Sequence, residues 1–110
     1  LDITLLTDIN SQVNVGPYQY HLDFYYQTQN LQDLLTKFPH ASEFAIAKYQ
    51  ALIAAGADAT KLKLSSYRQT ISSPPTFVLL ATLDDGFDYV LDHTQNVVHK
   101  KDDLTYIWRQ

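Results

Sequence analysis

A chain of 110 residues with a formal net charge of −4 and no cysteine is the length of one domain, enough to bury a single core without disulfide or metal staples. Its eight Lys and Arg residues are scattered, which argues against a nucleic-acid binder built on phosphate neutralisation. The absence of cysteine excludes disulfides, thiolate metal sites and thiol catalysis together.

Leu5, Leu6, Ile9 and Val13 recur at helical spacing and predict an opening helix that ends before the breaker pair Gly16-Pro17. Tyr18, Tyr20, Leu22, Phe24 and Tyr26 then alternate with polar residues, the period of a strand or extended loop. Asn30 can cap a short helix carrying Leu31, Leu34, Leu35 and Phe38, which must stop at Pro39 because the residue before proline is pushed out of the helical region. Ser42 is a suitable N-cap for the next helix. Its apolar residues Phe44, Ile46, Ala47, Tyr49, Leu52 and Ile53 make it the expected buried central helix, closed by Gly56.

Strands are predicted at Leu62 and Leu64, from Phe77 to Leu83 and from Phe87 to Leu91. Turn signals at Ser72-Ser-Pro-Pro75 and Asp84-Asp-Gly86 separate them, and the last two form an antiparallel hairpin. The mixed charges of Lys100-Lys-Asp-Asp103 read as a solvated turn, and Tyr106-Ile-Trp108 as a terminal strand. With no internal repeat or linker, helices followed by strands give one α+β domain over residues 1–110. No apolar run approaches the roughly 20 residues that span a bilayer, so an integral membrane protein is not expected. The chain opens at Leu1 without a basic n-region, so any export signal is expected to have been removed.

Three runs carry a resemblance. Pro39-His-Ala-Ser-Glu-Phe-Ala-Ile-Ala-Lys-Tyr49 is followed by Gly56-Ala-Asp-Ala-Thr-Lys-Leu-Lys-Leu64 and, further on, by Val90-Leu-Asp92. Together they resemble the bacterial transglutaminase-like cysteine proteinases of the periplasmic adhesin-cleaving type, whose helix opens Gly-Asp-Cys-Glu-Asp-Tyr-Ala-Ile-Ala-Lys-Tyr. The resemblance implies a transglutaminase-like, papain-like core with the central helix packed on a small antiparallel sheet. It also implies a triad in which a helix N-terminus and a histidine activate a thiol while a carboxylate orients the histidine. In this chain the nucleophile position is Ala41, the base position is Thr76, and Asp92 alone keeps its family identity. The family's acidic calcium positions correspond to His40, Ser42 and Glu43, and a single surviving carboxylate does not match calcium's demand for about 6 to 8 oxygens. No cofactor or metal is therefore expected.

Asp92 reads either as a vestigial orienter or, preferably, as a polar residue ending the hairpin. A Ser42 nucleophile with His93 as base is a weaker reading, because neighbouring strand residues face opposite ways. His21, His40 and His99 have no ligand spacing and read as surface residues. The tyrosines at 18, 20, 25 and 26 fit sheet packing first and a recognition surface second.

The expectation is thus a catalytically inactive relative that binds a protein or peptide in the former cleft, through Ala41, Ser42, Thr76, Asp92, Tyr25 and Tyr26. A periplasmic or secreted setting follows from the resemblance. The alternatives are an assembly domain of an envelope or secreted system, or a residual Ser-dependent hydrolase.

Overall fold

The computed structural model describes residues 1–15 and 43–109. The expected strand around Tyr18 to Tyr26, with Tyr25 and Tyr26, the helix after Asn30, and the positions His40, Ala41 and Ser42 lie outside the described residues.

Helix α1, Ile3–Val15, begins where the Asp2 carboxylate accepts from the Leu5 amide at 2.8 Å, an N-cap that satisfies one of the unpaired donors of the first turn. Leu6, Ile9 and Val13 are its buried stripe. Helix α2, Glu43–Ala54, is buried almost all round: Ala45, Ile46, Ala47, Leu52 and even Lys48 and Gln50 are shielded from solvent. This is the predicted central helix. It stops in a Schellman turn, with Ala57 N–H bonded to the Leu52 carbonyl at 2.9 Å and Gly56 N–H to Ile53 at 3.0 Å. Gly56 sits at φ +96°, a conformation that glycine adopts without the clash a Cβ would meet.

Five strands follow: β1 Leu62–Arg68, β2 Thr76–Thr82, β3 Asp88–Leu91, β4 His99–Lys100 and β5 Ile107–Trp108. They form one antiparallel sheet in the order β4-β3-β2-β1-β5. Because side chains alternate across a strand, the register divides the apolar residues between two faces. Leu62, Leu79, Ala81 and Leu91 pack with α1 and α2, while Tyr67, Val78, Leu80 and Val90 pack with Leu104, Tyr106 and Trp108. The central strand β2 is therefore buried on both faces, which is why Phe77 to Ala81 is an unbroken apolar run.

The predicted hairpin joins β2 to β3 through Asp84 to Phe87, with Gly86 N–H bonded to the Leu83 carbonyl at 2.9 Å. Strand β1 extends four residues beyond Leu64, because Ser65 to Arg68 continue to pair although only part of the segment is apolar. Strand β4 was not expected. Lys100 pairs with Tyr89 there instead of joining the charged turn, and its ammonium rests 4.3 Å from the centre of the Phe87 ring, a cation–π contact. Lys101–Asp103 form the turn as a single 3-10 segment.

Candidate functional site

Asp92 leaves the end of β3 and is completely buried. One carboxylate oxygen accepts from the Tyr67 hydroxyl at 2.5 Å, and the other accepts from the Thr94 amide and hydroxyl, each at 2.9 Å. An ionised carboxylate is acceptor-only, and these three donors satisfy it in the manner that burial of a charge requires. The Thr94 bonds close a local turn of the kind aspartate favours. The Tyr67 bond ties that turn to β1 across the sheet.

The same turn is held from the other side by α1. Asn14 Nδ2 donates to the Asp92 carbonyl at 3.0 Å and to the Gln95 carbonyl at 3.1 Å, and Asn10 Nδ2 donates to Gln95 at 2.9 Å and Asn96 at 3.0 Å. The two asparagines are four residues apart and so share a helix face. They fasten loop 92–96 to the first helix.

Lys48 of α2 completes the cluster. Its side chain is fully buried and its ammonium has no hydrogen-bond partner among the described residues. Burial pushes its pKa down to about 7, against the opposing attraction of the Asp92 carboxylate. The Tyr67 hydroxyl is displaced the other way, above its ordinary value, first by burial and then by its bond to Asp92. Tyr67 also stacks on Tyr106, with ring centroids 4.0 Å apart, and meets Trp108 at 5.3 Å.

Thr76, the position that the sequence resemblance aligns with a catalytic base, opens β2 directly opposite Tyr67. Paired residues of an antiparallel ladder project on one face, so Thr76 and Asp92 both border the same tyrosine. Thr76 is half-buried, whereas Asp92 has no exposed surface. His93 stands beside Asp92 in a turn rather than in a strand, so the alternation expected to keep the two apart does not operate. Its Nδ1 lies 3.9 Å from Asp92 Oδ1, beyond hydrogen-bond length, and its ring stacks on Phe44, in the first turn of α2, at 5.4 Å. Ala41, Ser42, Tyr25 and Tyr26 cannot be placed relative to these groups, since they lie outside the described residues. Among the described residues no three His, Asp or Glu side chains gather as metal ligands, and no helix is long and apolar enough to cross a membrane.

Sequence reasoning missed Lys48, Tyr67 and Thr94. A signal for Lys48 was present: a lone cation inside Phe44-Ala-Ile-Ala-Lys-Tyr49, a run with no polar stripe to carry it to water. Tyr67 had none, because its role depends on pairing with a strand far along the chain.

The arrangement defines an α+β domain in which a buried helix lies against one face of an antiparallel sheet and an acid is sealed at the sheet's end. Such a fold is shared with Legionella pneumophila LapG (EGTA-treated), a solved structure that superposes with a TM-score of 0.67 at 16% sequence identity. The superposition covers 97% of this chain and 61% of LapG, so the chain spans about three-fifths of that protein's length. This likeness concerns the fold. No protein-family model and no curated protein sequence matches the chain.

Proposed function

We propose that this chain is a catalytically inactive, transglutaminase-like cysteine protease relative that binds a protein or peptide segment beside Thr76. The observation that carries the reading is the state of Asp92. Its two oxygens are occupied by Tyr67 and Thr94 in a fully buried site, a structural duty distinct from orienting a base. Thr76 cannot accept a proton near neutral pH, and no residue of the chain can supply a thiolate. The LapG-like fold supports the ancestry, and a papain-like core and a periplasmic or secreted setting belong to the same proposal. A cleft that has lost its chemistry can keep the shape that peptide recognition needs.

The test is fluorescence anisotropy with a library of labelled ten-residue peptides. Binding is expected, and Thr76→Trp, which fills the half-buried position, is expected to weaken it by at least about tenfold. A library that fails to bind, or binding untouched by both Thr76→Trp and Thr76→Lys, would overturn the reading.

One observation favours a second reading, a residual hydrolase. The Asp92–His93 approach of 3.9 Å and the packing of His93 on Phe44 put a histidine near the first turn of α2. If Ser42 is served by that histidine, a fluorophosphonate probe labels the protein, and labelling disappears in Ser42→Ala and in His93→Ala. An unlabelled wild-type protein removes this alternative.

A further inference from the structure

Among the described residues the sheet ends at β5, and the backbone pairing there is informative. Arg109 N–H donates to the Ser66 carbonyl at 3.0 Å, and the register pairs Tyr67 with Trp108 and Arg68 with Ile107. In an antiparallel ladder hydrogen-bonded and non-hydrogen-bonded pairs alternate. The Ser66–Arg109 pair is bonded, so Tyr67–Trp108 is not, and the N–H and C=O of Trp108 point away from β1. No further strand of the described residues takes them up, since β5 is terminal in the sheet order. An exposed edge of this kind is a template for another extended chain.

Beside that edge is a cavity of about 300 Å³ between the ends of β1, β2 and β5. Its walls combine apolar surface from Pro75, Phe77 and Ile107 with the two arginines Arg68 and Arg109. By alternation Ile107 and Arg109 project on one face of β5, and Arg68 is in register with Ile107. Both arginines are exposed and neither is in an ion pair among the described residues. Arg68 spends one guanidinium nitrogen on the Ser73 carbonyl at 3.1 Å and keeps the rest of its fork. In a chain of net charge −4, two cations at one cavity with no paired acid among the described residues make a local field that selects anions against the background.

We propose that the β5 edge takes an extended acidic peptide as an added strand, its backbone pairing with Trp108 and its carboxylates reaching Arg68 and Arg109. Main-chain pairing supplies affinity in such strand addition, and pockets for alternate side chains supply specificity. The face bearing Arg68 and Arg109 meets every second residue of the peptide, so the acids must alternate. Arg–carboxylate contacts of this kind are charge-assisted and directional. The inference rests on the peptide-binding reading above and adds the chemistry of the partner and the edge it uses.

Trp108 is the only tryptophan of the chain and lines the cavity, so its emission reports occupancy without a label. The probe is a blocked peptide alternating valine with glutamate, compared with its glutamine and lysine versions and with the glutamate version N-methylated at alternate residues. The glutamate probe is expected to change Trp108 emission saturably, and the lysine and N-methylated probes to leave it unchanged. Arg68→Glu combined with Arg109→Glu is expected to weaken binding by at least about tenfold. Both positions are exposed, so the fold should persist, as circular dichroism checks. Binding indifferent to probe charge, or unaffected by the double reversal, overturns the proposal. So does an emission change that follows protein concentration with a dimer in sedimentation, which assigns the edge to a second copy. Neutral peptides that bind in a Thr76-dependent manner while the glutamate probe does not would end this inference and leave the function reading intact. Glutamate binding that needs Arg68 and Arg109 but survives Thr76→Lys would remove Thr76 from the function reading and keep peptide binding at the β5 edge.

Discussion

Replacing Asp92 by alanine is expected to lower the unfolding free energy by about 4 kcal/mol, the range found when one member of a buried polar cluster is removed. Three donors lose their acceptor at once: the Tyr67 hydroxyl and the amide and hydroxyl of Thr94. Lys48, whose ammonium already lacks a hydrogen-bond partner among the described residues, also loses the attraction that opposes its neutralisation. For a domain of this length the loss corresponds to a fall in Tm of about 15 °C. Asp92→Asn separates the two contributions. The amide keeps the shape, can accept from Thr94 through its oxygen, and can donate to Tyr67, whose hydroxyl rotates to accept. It should therefore cost roughly half as much while removing the charge opposite Lys48. Urea denaturation of both variants decides the matter, and an alanine variant within about 1 kcal/mol of wild type would show that Asp92 is not the anchor of the sheet's end.

The contrast between Asp92 and its surroundings shows what a sequence of this kind discloses. The opening helix was legible because Leu6, Ile9 and Val13 repeat with the helical period and all three are buried. The β2–β3 hairpin was legible because Asp84-Asp-Gly86 is strong turn chemistry between apolar runs. The end of β1 was not, because Ser65, Ser66 and Arg68 carry little apolar signal and are held by pairing with β2 and β5, partners chosen by tertiary structure. Strand β4 is two residues long and leaves no periodicity to detect.

At the site, resemblance drew attention to Thr76 and Asp92, and the register places both against Tyr67. What could not be read was that the bonding partner of Asp92 is a tyrosine 25 positions earlier, since no local pattern encodes a contact across β1 and the end of β3. The expectation that Asp92 and His93 diverge assumed that the strand continued. It ends at Leu91, and the Asp92–Thr94 turn brings the histidine alongside.

Lys48 carries the second large effect, and its sign follows from linkage. Its pKa is about 7 in the folded chain and 10.5 in the exposed state, so between those values the unfolded chain binds more protons. Stability therefore rises as pH increases from about 7 toward 10. Below pH 7 the ammonium is charged in both states and the full penalty of burying it is present. Tyr67 acts in the opposite sense at the alkaline end. Its folded pKa is raised above 10, so the folded chain is the tighter proton binder there, and the contribution of Tyr67 is lost as pH climbs beyond 10. The combined contribution of these two groups is therefore greatest near pH 10.

Lys48→Met isolates the lysine, because methionine fills similar volume without a charge. The variant is expected to be more stable than wild type by about 4 kcal/mol at pH 5 to 7, and by only about 1 kcal/mol at pH 10. Taking the difference between the two proteins at each pH cancels the titrations they share, including that of Tyr67. A variant less stable than wild type at pH 6 would mean that the charged ammonium has a stabilising partner. A difference that does not shrink between pH 7 and 10 would mean that Lys48 does not change its charge in that window. With the expected outcome, the Ala-Ile-Ala-Lys-Tyr run holds a cation whose burial weakens the fold, placed opposite an acid already satisfied by Tyr67 and Thr94. The helix would then gain stability from losing its charge, which separates what this cluster resembles from what now holds the domain together.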